Sequence, residues 1–175
     1  MFEFFVKLKP SKGFTLIELL VVISIIGVLS GMVLVAMTDT RARARDARRV
    51  NDITQIRKAL ELYYAENSIY PNLTGWRSSN NDAAWGALAT QLAPYIALPK
   101  DPINTVTNPA TSATTVGTYT YSYYTGATTV CPTSRHWYML VTRLEKTGSV
   151  ASPGVKCVNG TYNYSGTLTI GMVQK

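Results

Sequence analysis

Gly13-Phe14-Thr15-Leu16-Ile17-Glu18 opens an apolar run that continues to Met37, and Glu18 is the only charge between Phe14 and Met37. An ionised side chain within so apolar a segment costs about 2.5–3.5 kcal/mol on insertion scales, so it calls for a partner. Two kinds of partner satisfy a carboxylate here. Thr15-Leu16-Ile17-Glu18 matches the S/T-x-x-E capping box, in which the glutamate bonds the backbone at a helix start and favours the positive end of the helix dipole. The other partner is a cation, and the apolar run itself supplies none.

The remaining candidates for chemistry are few. His136 is the single histidine, beside Trp137 and Tyr138 in a strand-like stretch, and a histidine relay would need a carboxylate partner. No glycine-rich phosphate loop is present. The sequence therefore makes no case for an enzyme and implies no cofactor. Cys131 and Cys157 lack the paired spacing of a zinc site and read as one disulfide in an oxidising compartment. The bridge would close a loop of 27 residues, worth about 3.5 kcal/mol in the chain-entropy model. Arg41, Arg45, Arg48 and Arg49 recur at i, i+4, i+7 and i+8 and could hold phosphates of nucleic acid or anionic lipid. A solvated face partly paired with Asp39, Asp46 and Asp52 is the plainer reading, because the aromatic interleaving of a single-strand groove is missing.

These residues need elements to carry them. Phe14 to Met37 is 24 residues, which as a helix would extend roughly 36 Å and cross a hydrocarbon core of about 30 Å with some tilt. Before it lie Lys7, Lys9 and Lys12, a basic flank suited to the cytoplasmic side. Arg41, Arg43, Arg45, Arg48 and Arg49 follow it, so charge counting does not orient the segment. An ordinary signal peptide fits poorly: its apolar region should be about 7–15 residues with a small-x-small site after it. The formal charge is +7, and removing residues 1–13, with three lysines and one glutamate, leaves +5. That is basic, but below the level of a dedicated nucleic-acid binder.

At Gly13-Phe14-Thr15-Leu16-Ile17-Glu18 the chain resembles the class III leader of type IV prepilins and type II secretion pseudopilins. The resemblance implies that prepilin peptidase cuts after Gly13 and methylates the new amino terminus at Phe14. It also implies that Glu18 neutralises the terminal amine of a neighbouring subunit during filament assembly, a cation with a reference pKa near 8. The run departs from many pilins in having no proline at or around Val35.

Past Met37 the helix continues. Val50, Ile53, Ile56, Leu60 and Tyr64 recur at three- and four-residue steps as one apolar stripe, with Arg49, Asp52, Arg57 and Glu61 assigned outside it. Asn67, Ser68 and Pro71 are stop signals, so the helix is expected from Phe14 to about Glu66, roughly 80 Å long. A short helix with Asp82 as N-cap is expected to Leu92, its buried edge formed by Trp85, Leu88, Ala89 and Leu92. Leu98 to Pro102 reads as a turn shaped by two prolines. From Pro102 to Ser134 there is no charge, and Thr118 to Tyr123 alternates as a strand with tyrosines on one face. His136–Leu144, Val155–Tyr162 and Leu168–Val173 are expected as further strands. Asn72-Leu73-Thr74, Asn159-Gly160-Thr161 and Asn163-Tyr164-Ser165 match glycosylation sequons, a pattern common by chance.

The expected fold is α+β: a long N-terminal helix, membrane-spanning over 14–37 and amphipathic after it, packed on a small antiparallel sheet. The expected division is a cleaved leader over 1–13, the helix over 14–66 and a globular head over 67–175. The resemblance makes the chain a filament subunit that assembles with copies of itself, with prepilin peptidase and an assembly platform as partners. It would be a single-pass precursor in the cytoplasmic membrane with its head outside, then part of an extracellular or envelope filament. The disulfide resembles the carboxy-terminal loop of pilins. Secretion pseudopilins resemble calcium binders in their last loop, and no Asp or Glu follows Glu145 here, which weights the reading toward a pilus over a type II secretion pseudopilin. A membrane-anchored DNA-binding module using the arginine face is the alternative of another class.

Overall fold

The computed structural model describes residues 13–73, 75–105, 113–126, 128–132, 136–146, 152–164 and 166–173. The chain divides into two compact units, one ending at Arg41 and one beginning at Ala42. Lys7, Lys9 and Lys12, with the rest of the leader before Gly13, lie outside the described residues.

One helix, α1 (Leu16–Asn67), enters both units. In the first unit its described side chains from Leu16 to Met32 are all exposed. Its most apolar 18 residues have a mean hydropathy of 2.8, long and apolar enough to cross a membrane. The helix persists through Val33–Ala36. It ends where Ser68 adopts a positive φ of 59° and its N–H bonds the Tyr64 carbonyl at 2.7 Å. A left-handed residue just past the last turn is a common helix stop, and Pro71 prevents continuation.

The second unit adds β1 (Arg77–Ser78), α2 (Asp82–Leu92), β2 (Tyr121–Tyr124), β3 (Trp137–Arg143), β4 (Val155–Cys157), β5 (Gly160–Tyr162) and β6 (Thr167–Val173). The main sheet has the order β1-β2-β3-β6 with every pair antiparallel. The strand expected as one element over Val155–Tyr162 is instead a two-stranded hairpin, β4–β5. Val158 and Asn159 form its turn, and Gly160 follows at φ 139°, a conformation that suits glycine. The tyrosine strand begins three residues later than expected, because the buried Thr120 hydroxyl bonds Ser79 and the Asn80 N–H in the loop before α2, and the Thr118 N–H turns back to the Thr115 carbonyl rather than joining a ladder. Asn81, not Asp82, caps α2: its Oδ1 accepts the Ala84 N–H at 3.2 Å.

Alternation along β3 gives the unit two cores. Tyr138 and Leu140, with Tyr121 and Tyr123 of β2, meet Ile53, Ile56 and Leu60 of α1 and Trp85, Leu88 and Leu92 of α2. Trp137, Met139 and Val141 point into the second core with Ala113, Cys131 and Val155. Burying side chains of this size contributes about 1.5–3 kcal/mol each. Cys131 and Cys157 are joined, with Cα atoms 5.2 Å apart, tying β4 to the loop before β3.

Candidate functional site

The amino-terminal site begins with a reciprocal cap. The Thr15 N–H donates to Glu18 Oε2 at 2.8 Å, the Thr15 hydroxyl donates to the same oxygen at 2.7 Å, and the Glu18 N–H donates to Thr15 Oγ1 at 3.3 Å. This is the capping box that the spacing of Thr15 and Glu18 allows. It engages one carboxylate oxygen; among the described residues, Oε1 has no hydrogen-bond partner and no cation approaches it. Phe14, Leu16 and Ile17 beside it are 87%, 82% and 71% exposed. Gly13 stands clear of other atoms, so the Gly13–Phe14 bond is unobstructed by the described chain. The site thus presents an accessible peptide bond, a half-used carboxylate and a long uncovered apolar helix.

The arginines that follow only partly match the solvated, acid-paired face that is their plainer reading. Arg41 is exposed, but Arg49 is fully buried in the second unit. Its Nε and Nη2 donate to Asp101 at 2.7 and 3.1 Å, and Nη1 donates to Asp46 at 2.8 Å and Glu145 at 2.7 Å. The Tyr119 ring lies 5.0 Å from the guanidinium carbon. Arg45 binds Glu145 through two parallel hydrogen bonds of 2.7 and 2.6 Å. Arg48 is exposed and pairs with Asp52 at 3.4 Å. The reason is charge balance: three carboxylates surround Arg49, and Asp46 also accepts the backbone N–H groups of Glu145 and Lys146. Burial disfavours the Arg49 charge, but the bonds from Asp101 and Glu145 outweigh it and its pKa is raised. The bonds from Arg45, and then from Arg49, hold the Glu145 carboxyl down at about 2 against the opposing effect of burial.

Sequence reasoning placed Arg49 and Asp52 outside the buried stripe, and the structure places both inward. Asp101 was assigned to a turn and is buried beneath Arg49. A signal for the inward acids lies in the tyrosines. Tyr121 donates to Asp52 at 2.7 Å and Tyr138 to Glu61 at 2.9 Å. Burial first, and then the adjoining carboxylate, raises both phenol pKa values. His136 is half-buried just before β3. Among the described residues no group of three or more His, Cys, Asp or Glu side chains is arranged to hold a metal ion. In the sequons, Asn72 and Asn159 are exposed, Asn163 bonds Ser152, and Thr74 and Ser165 lie outside the described residues.

The prokaryotic N-terminal methylation motif matches residues 8–37. The chain is 35% identical over 65 residues to the type II secretion system core protein G of Vibrio cholerae, covering 37% of this chain and 44% of that protein. The chain thus carries this motif and is similar over part of its length to a type II secretion core protein. The corresponding protein of Escherichia coli K12 is 40% identical over 60 residues, covering 34% of this chain and 41% of that protein. Fimbrial protein EcpC of Eikenella corrodens is 35% identical over 88 residues, 50% of this chain and 52% of EcpC. The chain thus spans less than half the length of these type II secretion relatives and about half of the fimbrial one. No solved structure matches it. The long helix and small antiparallel sheet agree with a pilin-like α+β fold.

Proposed function

We propose that the chain is a precursor subunit of a type IV pilus or related filament, cut between Gly13 and Phe14, methylated at Phe14 and assembled through its apolar helix. The observation that carries this reading is the uncovered apolar run whose single charge is held at its start with one oxygen still available. In a shared core of such helices the apolar surface stays out of water as it does in a bilayer, while an unpaired carboxylate opposes entry. A terminal amine at Phe14 of another copy is the cation that resolves the conflict. The match of the methylation motif to residues 8–37 supports the same role.

Processing requires a membrane-embedded peptidase, and filament growth requires an assembly platform. Before assembly the segment 14–37 anchors the precursor in the cytoplasmic membrane, with the head outside. A type II secretion pseudopilus is the second reading, favoured by the similarity to the core protein G relatives. The cystine and the lack of any acid after Glu145 favour a pilus. DNA uptake through the arginine face loses support, because Arg45 and Arg49 are committed to internal ion pairs.

The mass and amino-terminal sequence of the mature chain test the proposal. The expected product begins at methylated Phe14, and a product beginning elsewhere removes the basis for the amine–Glu18 pairing.

A further inference from the structure

The tyrosine hydroxyls on the two faces of the main sheet are used differently. Facing α1, Tyr121 donates to Asp52, Tyr138 to Glu61 and Tyr123 to the Pro71 carbonyl. On the opposite side, the hydroxyls of Tyr124, Tyr162 and Tyr164 have no hydrogen-bond partner among the described residues. All three rings are half-buried, as is Trp76.

These four rings and the buried Trp137 form a closed circuit. Trp76 and Tyr124 centroids are 5.1 Å apart, Tyr124 and Trp137 5.8 Å, Trp137 and Tyr162 5.9 Å, Tyr162 and Tyr164 6.5 Å, and Tyr164 and Trp76 6.3 Å. Trp137, Tyr162 and Tyr164 lie nearly parallel, with successive interplanar angles of 8° and 14°. Burial first, and then the neighbouring Tyr162 and Tyr124, raises the pKa of Tyr164. The segments that carry most of this face, Pro102–Ser134 and Cys157–Gln174, contain no charged residue. Asn159 and Asn163, at the two ends of β5, are exposed.

This chemistry selects a ligand class by elimination. An anion would require arginine or lysine, and a cation seated on the rings would gain from a carboxylate; the two segments offer neither, and Arg143, on the same face of β3, donates to the carbonyls of Thr114 and Gly166. A wholly apolar ligand would cover three hydroxyls without satisfying them. A neutral sugar ring has C–H faces to lie on aromatic rings and hydroxyls to exchange hydrogen bonds with phenols and amides. We propose that the platform of Trp76, Tyr124, Tyr162 and Tyr164, backed by Trp137, binds neutral oligosaccharide. The site lies within the second unit and does not depend on filament assembly.

The test uses the full chain in micelles of a detergent without a sugar headgroup, titrated with cellohexaose, maltohexaose and a β-1,4-galactan hexamer and followed by calorimetry and tryptophan fluorescence. Saturable binding of at least one hexamer is expected. Trp76→Ala weakens it roughly tenfold, and Tyr164→Phe, which keeps the ring and removes one hydroxyl, weakens it by roughly fivefold. Tyr95→Phe, on the helix-side core, leaves it unchanged. The proposal is overturned if none of the three hexamers binds, or if affinity survives Trp76→Ala in a protein with unaltered near-UV circular dichroism. Salt-sensitive binding restricted to anionic polysaccharide also overturns it, as does self-association abolished by Trp76→Ala, which would make a second copy the occupant.

Discussion

The two halves of α1 each carry a charge that the apolar environment makes costly, and they resolve it in opposite ways. Arg49 is fully buried and meets three carboxylates of its own chain, one on α1 and two from loops 52 and 96 residues away. Glu18 stands among exposed apolar side chains and, among the described residues, meets only Thr15, through one oxygen. The carboxy-terminal half of α1 is finished electrostatically within the chain. In the filament reading proposed above, the Glu18 charge is met when another molecule supplies a cation, so the exposed apolar surface and the carboxylate belong to the same assembly step.

Removing Glu18 is the strongest way to break this contrast. Glu18→Ala is expected to leave membrane insertion intact and to reduce surface filaments, counted by electron microscopy and shear-fraction immunoblot, to a small fraction of the wild-type amount. Abundant filaments from this variant would reduce the residue to a helix cap. Arg49→Met carries the next effect, and on the head rather than on assembly. It leaves Asp46 and Asp101 without their cation and Glu145 with Arg45 alone, and breaking such a buried arrangement costs about 3–5 kcal/mol. Denaturant unfolding of the full chain in micelles measures it. Arg48→Gln is the internal comparison: that arginine is 61% exposed over Asp52, and an exposed pair contributes about 0.2–1 kcal/mol and weakens with salt. Equal losses from the two variants would mean that burial does not set the difference between them.

What could be read before any coordinates divides along the same line. The capping box and the apolar run were legible because each is local: residues three apart, or a continuous hydropathy signal, need no knowledge of the fold. The stripe through Ile53, Ile56 and Leu60 was legible for the same reason. Arg49 was misassigned because its neighbours on α1 give only a helical face, while Asp101 and Glu145, which make its burial possible, are remote in sequence. Asp101 sits between Lys100 and Pro102 in a segment that reads as a turn. It is both a turn residue, accepting the Ile103 and Asn104 N–H groups, and the anion under Arg49. β1 escaped notice because two residues cannot display a period, and Val155–Tyr162 read as one strand because the reversal at Val158–Asn159 left the flanking apolar pattern unbroken.

Acid titration probes the smaller part of the contrast, the share of the internal lock held by Glu145. Its carboxyl is drawn down from an ordinary 4.5 to about 2 by Arg45 and then Arg49. Because the folded value lies below the unfolded one, the unfolded chain takes up a proton first as acid is added. Stability from this group is therefore complete above about pH 4.5 and is lost progressively as pH falls from there toward 2. Glu145→Gln cannot titrate, so the expected signature is a gap between wild type and variant in melting temperature that is widest at pH 6 and narrows steadily below pH 4.5. Asp46 still accepts the backbone N–H groups at residues 145 and 146 in the variant, which keeps the loop in place and makes the comparison one of charge. A gap that stays constant down to pH 2.5 would mean that the two arginines hold Glu145 no more strongly in the folded head than water does in the unfolded chain. The lock would then rest on Asp46 and Asp101 alone.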